Sequence, residues 1–229
     1  MFIIGHRGAK AVEPENTLRS LREGIKCADY VEIDARLSSD GVPVVMHDAT
    51  VDRTTNGNGP VNSFTLAGLR TLDAGKGEKV PTLEEVCREV RRACGLFCEI
   101  KEPGSEEAVC RVLSREGVED LWIVSFHAES LNAARALLPL AKTGLIVSRT
   151  AGDLPGEAVH LGAGSILLKY DLLSPSLVAA CHDQGLLVIS WTLDTPAEFE
   201  KAAGFGVDGL ASDDPCAARR FFGQKNRTF

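Results

Sequence analysis

Four ionic pairs in this chain each close a short apolar run. His6-Arg7 follows Phe2-Ile3-Ile4-Gly5, and Glu32-x-Asp34 follows Tyr30-Val31. His47-Asp48 follows Val44-Val45-Met46, and Glu99-x-Lys101 follows Leu96-Phe97-Cys98. Runs of this length and content read as β-strands. Residues i and i+2 of a strand share a face, about 6.6 Å apart. Glu32 and Asp34 therefore point one way, and Val31 and Ile33 the other. Glu99 and Lys101 likewise oppose Cys98 and Ile100. Charge on the inner face at the carboxyl ends of strands is the arrangement of a barrel active site. Stability alone does not account for it, because buried charge is costly unless it is paired or bound to a metal.

The rest of the chain alternates strand and helix patterns. A helix over 15–28, opened by Pro14, carries Leu18, Leu21 and Ile25 on one face, and strand 30–36 follows it. The segment 37–42 is too short for a helical crossover and contains Asp40-Gly41, a turn signal. Residues 43–47 should therefore return antiparallel, with His47 roughly opposite Asp34. Residues 48–79 are polar and glycine-rich, and read as an insertion lying over the strand ends. Long segments of this kind in compact domains usually serve function. A helix over 82–94 has Thr82 as its cap and Glu84-Glu85 in its first turn. Further strands fall at 96–101, 121–126, 143–147, 165–169, 186–192 and 207–211. Without the hairpin return, that makes eight strands alternating with helices. The expected fold is an α/β TIM barrel, (β/α)8, with a small insertion over the C-terminal face of the strands. One domain over 1–229 is expected, since such barrels reach about 250 residues as a unit.

Composition narrows the class of partner. The net charge is −7, and there is no basic stripe interleaved with aromatics, which argues against nucleic acid or an anionic membrane. No apolar run approaches the roughly 20 residues of a membrane helix. The N-terminus lacks the pattern of a secretory signal, so a cytoplasmic location is expected. The seven cysteines form no Cys-x-x-Cys pair. They read as small buried hydrophobes in a reducing compartment, with a catalytic or disulfide role as the alternative.

In a barrel with strands in chain order, the first three barrel strands are neighbours, about 4.8 Å apart. Glu32, Asp34 and Glu99 would converge there. Three carboxylates repel unless a cation sits among them, and all-oxygen ligation selects Mg²⁺ or Ca²⁺, with Mn²⁺ as a third choice. The competing reading is a salt-bridge network with Arg7, Arg36 and Lys101. His6 and His47 flank the carboxylates and can take and give protons at neutral pH. His127, His160 and His182 lack such company, although His127 follows a strand end and could line a pocket. Arg7 and Lys101 bring positive charge to the same mouth, which suits a phosphoryl group. Lys169 and Tyr170, at the end of the sixth barrel strand, are candidates for contact with a leaving alcohol.

Several motifs resemble the glycerophosphodiester phosphodiesterase family: His6-Arg7-Gly8, Pro14-Glu15-Asn16-Thr17, Glu32-Ile33-Asp34, Val44-Val45-Met46-His47-Asp48 and Asp52-Arg53-Thr54-Thr55-Asn56-Gly57. Pro81-Thr82-Leu83-Glu84-Glu85, Glu99-Ile100-Lys101, Trp191-Thr192 and Ser212-Asp213-Asp214-Pro215 extend the match nearly end to end. Ser212 stands where the family more often has threonine. The resemblance implies a TIM barrel and one divalent cation on Glu32, Asp34 and Glu99. It implies His6 and His47 as acid and base, Arg7 and Lys101 on the phosphate, Asn16 close to the metal or phosphate, and Trp191 near the substrate. The expected substrate is a small-molecule glycerophosphodiester, cleaved to glycerol 3-phosphate and an alcohol, with the substrate's own 2-hydroxyl as nucleophile. A lysophospholipase D-type phosphodiesterase is the alternative enzyme. A non-catalytic metal- or phosphodiester-binding protein is the rival outside enzymes. Oligomeric state and the leaving alcohol stay open.

Overall fold

Alternation along each strand decides which side chains fill the middle of this protein and which meet its helices. The computed structural model describes residues 1–150 and 152–225. Its strands are β1 (Phe2–Gly5), β2 (Tyr30–Leu37), β3 (Pro43–Val45), β4 (Gly95–Ile100), β5 (Leu121–Ser125), β6 (Lys142–Val147), β7 (Ser165–Lys169), β8 (Leu187–Trp191) and β9 (Gly209–Ser212). Its helices are α1 (Leu18–Ile25), α2 (Leu66–Leu69), α3 (Leu83–Val90), α4 (Glu106–Glu116), α5 (Ala128–Leu137), α6 (Leu154–His160), α7 (Pro175–Asp183), α8 (Pro196–Gly204) and α9 (Pro215–Lys225). All strand pairs are parallel except β2–β3. Because β1 pairs with both β2 and β9, eight strands close into the expected barrel.

The lumen is filled by Ile4, Phe97, Trp122, Val124, Ile146, Leu167, Ile189 and Ala211. The opposite parity meets the helices. Val31, Ile33 and Ala35 of β2 and Leu96, Cys98 and Ile100 of β4 pack with Leu21, Leu83, Val86, Val109 and Leu113. Phe97 thus fixes the direction of β4: two residues on, Glu99 faces inward, and Lys101 follows at the mouth.

Thr82 opens α3 as expected, through a capping box in which its hydroxyl accepts the Glu85 N–H and the Glu85 carboxylate accepts the Thr82 N–H. The first helix is shorter than its pattern. Thr17 caps it by accepting the Ser20 N–H, which leaves residues 14–16 as a turn with Asn16 at φ +57°. The hairpin return is present, but its register sets Met46, not His47, across from Asp34: the Met46 N–H donates to the Asp34 carbonyl at 2.9 Å. Residues 48–79 are more ordered than their polarity suggested. Val51, Val61, Leu69 and Ala74 gather with Val44 and Met46 into a cluster of their own.

The cysteine expectation needs correction. Cys27, just after α1, and Cys216, at the start of α9, form a disulfide. Spacing could not reveal it, since the two are 189 residues apart and meet only because barrel closure brings the first and last helices together. At these two positions the small-hydrophobe reading does not hold. Cys87, Cys98, Cys110 and Cys181 are buried free thiols, as the composition implied. No helix among the described residues is long and apolar enough to cross a membrane.

Candidate active site

The inward residues of β2 and β4 put three carboxylates at one end of the barrel. One oxygen from each of Glu32, Asp34 and Glu99 lies within 4.8 Å of the others, and all three residues are buried. At that separation each pair of charges repels by about 3 kcal/mol at an effective dielectric of roughly 20. Two cations answer them. Lys101 Nζ lies 2.8 Å from Glu99 Oε1 and 3.3 Å from Asp34 Oδ1. Arg7 Nε lies 3.4 Å from Asp34 Oδ2, too poorly aimed to count as a hydrogen bond. The competing salt-bridge reading is therefore half realised. Arg36 takes no part, and instead donates to the His47 carbonyl and to Glu102.

Protonation records the remaining strain. Burial, with the charges of Asp34 and Glu99, pushes the Glu32 carboxyl well above its usual range. Burial and Asp34 push Glu99 up to about 7. Burial raises Asp34 too, but Lys101, Arg7, His47 and the Asn16 amide outweigh it and hold that carboxyl at about 2. Asn16 Nδ2 donates to Asp34 Oδ2 at 2.7 Å and Asn16 Oδ1 accepts the Asp34 N–H at 3.4 Å, and two cations do not match three carboxylates one for one. Oxygens bound to one Mg²⁺ or Ca²⁺ at about 2.0 to 2.6 Å stand at most about 5 Å apart, so the span and the donor set fit a hard divalent ion.

The turn after β1 is built tightly around Glu32. The Arg7 N–H donates to Glu32 Oε2 at 2.9 Å, and the Arg7 carbonyl accepts from Ser20 Oγ and the Asn16 N–H. This holds Arg7 at φ +50°, an uncommon conformation for a side chain of its size. Gly8 follows at φ +87°, where a Cβ would meet the Ser20 backbone at 2.5 Å, so only glycine fits.

Each expected histidine has an aspartate on Nδ1. His6 Nδ1 lies 2.6 Å from Asp213 Oδ1, and His47 Nδ1 lies 2.7 Å from Asp48 Oδ1. Burial pushes the His47 imidazole down, against the pull of Asp34 and Asp48. Arg53 grips Asp48 through Nε at 2.6 Å and Glu15 through both terminal nitrogens at 2.8 Å. Glu15 in turn accepts from Arg7 Nη1 at 2.7 Å. A chain of charge-assisted bonds thus joins the histidine on the hairpin return to the arginine after β1.

His6, Arg7, Glu32, His47, Glu99, Lys101 and Trp191 line one cavity. Asp34 and Asn16, 1% and 4% exposed, lie directly behind its surface. Val124, Phe126, Ile146 and Leu167 complete the opposite wall. Phe126 was missed. It packs edge-on to Trp191 at 5.9 Å between ring centroids, with Lys101 Nζ 6.0 Å from its own centroid. The signal was available: Trp122 and Val124 face the lumen, so residue 126 shares their side and His127 does not. His127 instead occupies the cap position of α5. Lys169 pairs with Asp171, and Tyr170 packs under Lys201, so neither lines this cavity. His182 bonds Asp208, and His160 ends α6.

Residues 6–217 match the model of the glycerophosphoryl diester phosphodiesterase family. The chain is 36% identical to a glycerophosphodiester phosphodiesterase of Caldanaerobacter subterraneus subsp. tengcongensis, over 93% of this chain and 94% of that one. It is 31% identical to a glycerophosphodiester phosphodiesterase of Bacillus subtilis, over 94% and 84% respectively. Among solved structures, an Oleispira antarctica phosphodiesterase in complex with the product sn-glycerol-3-phosphate superposes with a TM-score of 0.91 at 29% identity, covering 97% of each chain.

Proposed function

Because this chain belongs to the glycerophosphoryl diester phosphodiesterase family, we propose that its cavity cleaves glycerophosphodiesters to glycerol 3-phosphate and an alcohol. The enzyme is a phosphoric diester hydrolase. The observation that carries the finer reading is the buried carboxylate triad flanked by two aspartate-bound histidines and by Arg7 and Lys101.

Glu32, Asp34 and Glu99 are the residues that would hold one divalent cation, and such an ion supplies charge stabilisation at a phosphoryl oxygen when bound. Arg7 and Lys101 bind the phosphate, Arg7 as a fork and Lys101 as a point charge. Asn16 acts from behind, fixing the Asp34 carboxylate. Trp191 contributes apolar contact from the far wall. Residues 48–79 serve as a cap belonging to the same domain, since Asp48 and Arg53 reach His47 and Glu15 from it.

The histidines move the protons. With Nδ1 committed to an aspartate, each exchanges protons at Nε2. One takes the proton of the substrate 2-hydroxyl as that oxygen attacks phosphorus. The other gives a proton to the departing alkoxide as its P–O bond breaks. Water then opens the cyclic phosphate with the roles reversed. An internal nucleophile is favoured because, among the described residues lining the cavity, none is serine, threonine or cysteine. Intramolecular attack also carries effective molarities that reach about 10⁵ M or more.

Turnover of glycerophosphocholine and its 2-deoxy analogue tests this reading. The analogue should bind comparably and turn over very slowly, and glycerol 3-phosphate itself should not be cleaved. Equal rates for the two diesters would exclude attack by the 2-hydroxyl. A panel of choline, ethanolamine, glycerol and inositol diesters, with a lysophospholipid added, identifies the leaving alcohol.

A further inference from the structure

The Ser212-Asp213-Asp214-Pro215 run supplies the aspartate bound to His6 from the far end of the chain. It leaves β9 and enters α9 at Pro215. The His6 N–H donates to the Ser212 carbonyl at 2.9 Å, so the ends of β1 and β9 are locked together where the barrel closes. Asp213 is then held on every side. Its Oδ1 meets His6 Nδ1 at 2.6 Å and its Oδ2 meets Lys10 Nζ at 3.0 Å. Its N–H donates to Asp194 Oδ1 at 2.7 Å, and its carbonyl accepts the Ala11 N–H at 2.9 Å. Asp194 is itself fixed by Ser212 Oγ at 3.0 Å. The Cys27–Cys216 disulfide pins the helix that starts two residues later.

We propose that Asp213 is the positioning residue for His6, holding the proton on Nδ1 so that Nε2 faces the reaction as the exchanging nitrogen. The inference rests on the reading of His6 as a proton-transfer group. A neutral imidazole carries one donor and one acceptor nitrogen, and an ionised carboxylate only accepts. A carboxylate at Nδ1 therefore selects the Nδ1–H tautomer and fixes the ring plane. Burial raises the Asp213 carboxyl, but the hydrogen bonds and charges of His6 and Lys10 outweigh it and keep the group ionised. His47 takes its aspartate from the next residue. The partner of His6 comes from 207 residues away, so its placement is a property of barrel closure.

Imidazole ¹⁵N NMR on the intact wild-type enzyme reads the tautomer directly, and does not depend on any variant folding. The His6 proton should sit on Nδ1. Steady-state kinetics on glycerophosphocholine then compare wild type, Asp213→Asn, Asp213→Glu and His6→Ala. Asp213→Asn should lower kcat by about 10- to 100-fold with KM within about twofold, and should mix the His6 tautomers. Asp213→Glu should recover part of kcat, because it restores an acceptor-only group. A wild-type His6 protonated on Nε2 would overturn the proposal. So would an Asp213→Asn enzyme with wild-type kcat alongside a crippled His6→Ala. A His6→Ala enzyme with wild-type kcat would instead remove the proton-transfer role, and with it the reason for a positioning residue.

Discussion

The two walls of the barrel mouth obey the same alternation and carry opposite chemistry. On one wall β1, β2 and β4 present His6, Arg7, Glu32, Asp34, Glu99 and Lys101, each bonded to at least one other polar group. On the other, β5 to β8 and the residues just after them present Val124, Phe126, Ile146, Leu167 and Trp191, where Trp191 Nε1 donates to a backbone carbonyl at 3.0 Å. The difference shows that charge is confined to neighbouring strands. Groups that must act together at short range sit about 5 Å apart across a strand pair. Apolar contact needs no such precision and fills the rest of the ring. The charged wall should therefore govern kcat and the apolar wall KM.

The largest effect is expected where the charged wall is densest. Stripping divalent cations with EDTA, or making Glu32→Gln, should cost roughly 10²- to 10³-fold in kcat, as removal of a preorganised electrostatic contact does. Metal content and activity measured together check this, and full activity in metal-free protein would dissolve the contrast between the walls. Next come the histidines. His6→Ala and His47→Ala should each lose roughly 10²-fold or more. Their double variant should be much less than multiplicatively worse, because the two act as a unit.

Across the mouth the prediction changes kind. Phe126→Ala and Trp191→Ala should raise KM about tenfold, in line with about 1.5 kcal/mol of lost apolar contact, while kcat moves little. A kcat loss as steep as that of the histidine variants would mean that the walls do not divide the labour. Smallest of all, Ile146→Val should cost about 1 kcal/mol of stability and about 3 °C in Tm, raise KM only slightly and leave kcat unchanged. Thermal unfolding beside an activity assay would register it.

What the sequence made legible was whatever depends on alternation or on local spacing. Glu32 and Asp34 could be set on one face because Val31 and Ile33 are apolar, and Thr82 could be read as a cap because Glu85 stands three residues on. Parity also contained Phe126, which shares the lumen-facing side of Trp122 and Val124. The rest depended on closure. Asp213 reaches His6 only once β9 lies against β1, and Cys27 meets Cys216 by the same event. The hairpin register was missed by one residue, since a turn signal marks a reversal without counting its residues. The salt-bridge and metal readings of the carboxylates could not be separated from composition. Both depend on how many cations lie within reach, and that is a matter of distance.

The bond between Cys27 and Cys216 has a topological consequence. With it formed, residues 27–216 make one covalent ring, and the seam between β1 and β9 lies beside its clasp. A protease cutting any loop inside that ring would linearise it without releasing a fragment. The nicked enzyme would run as one species on a non-reducing gel and as two after thiol treatment.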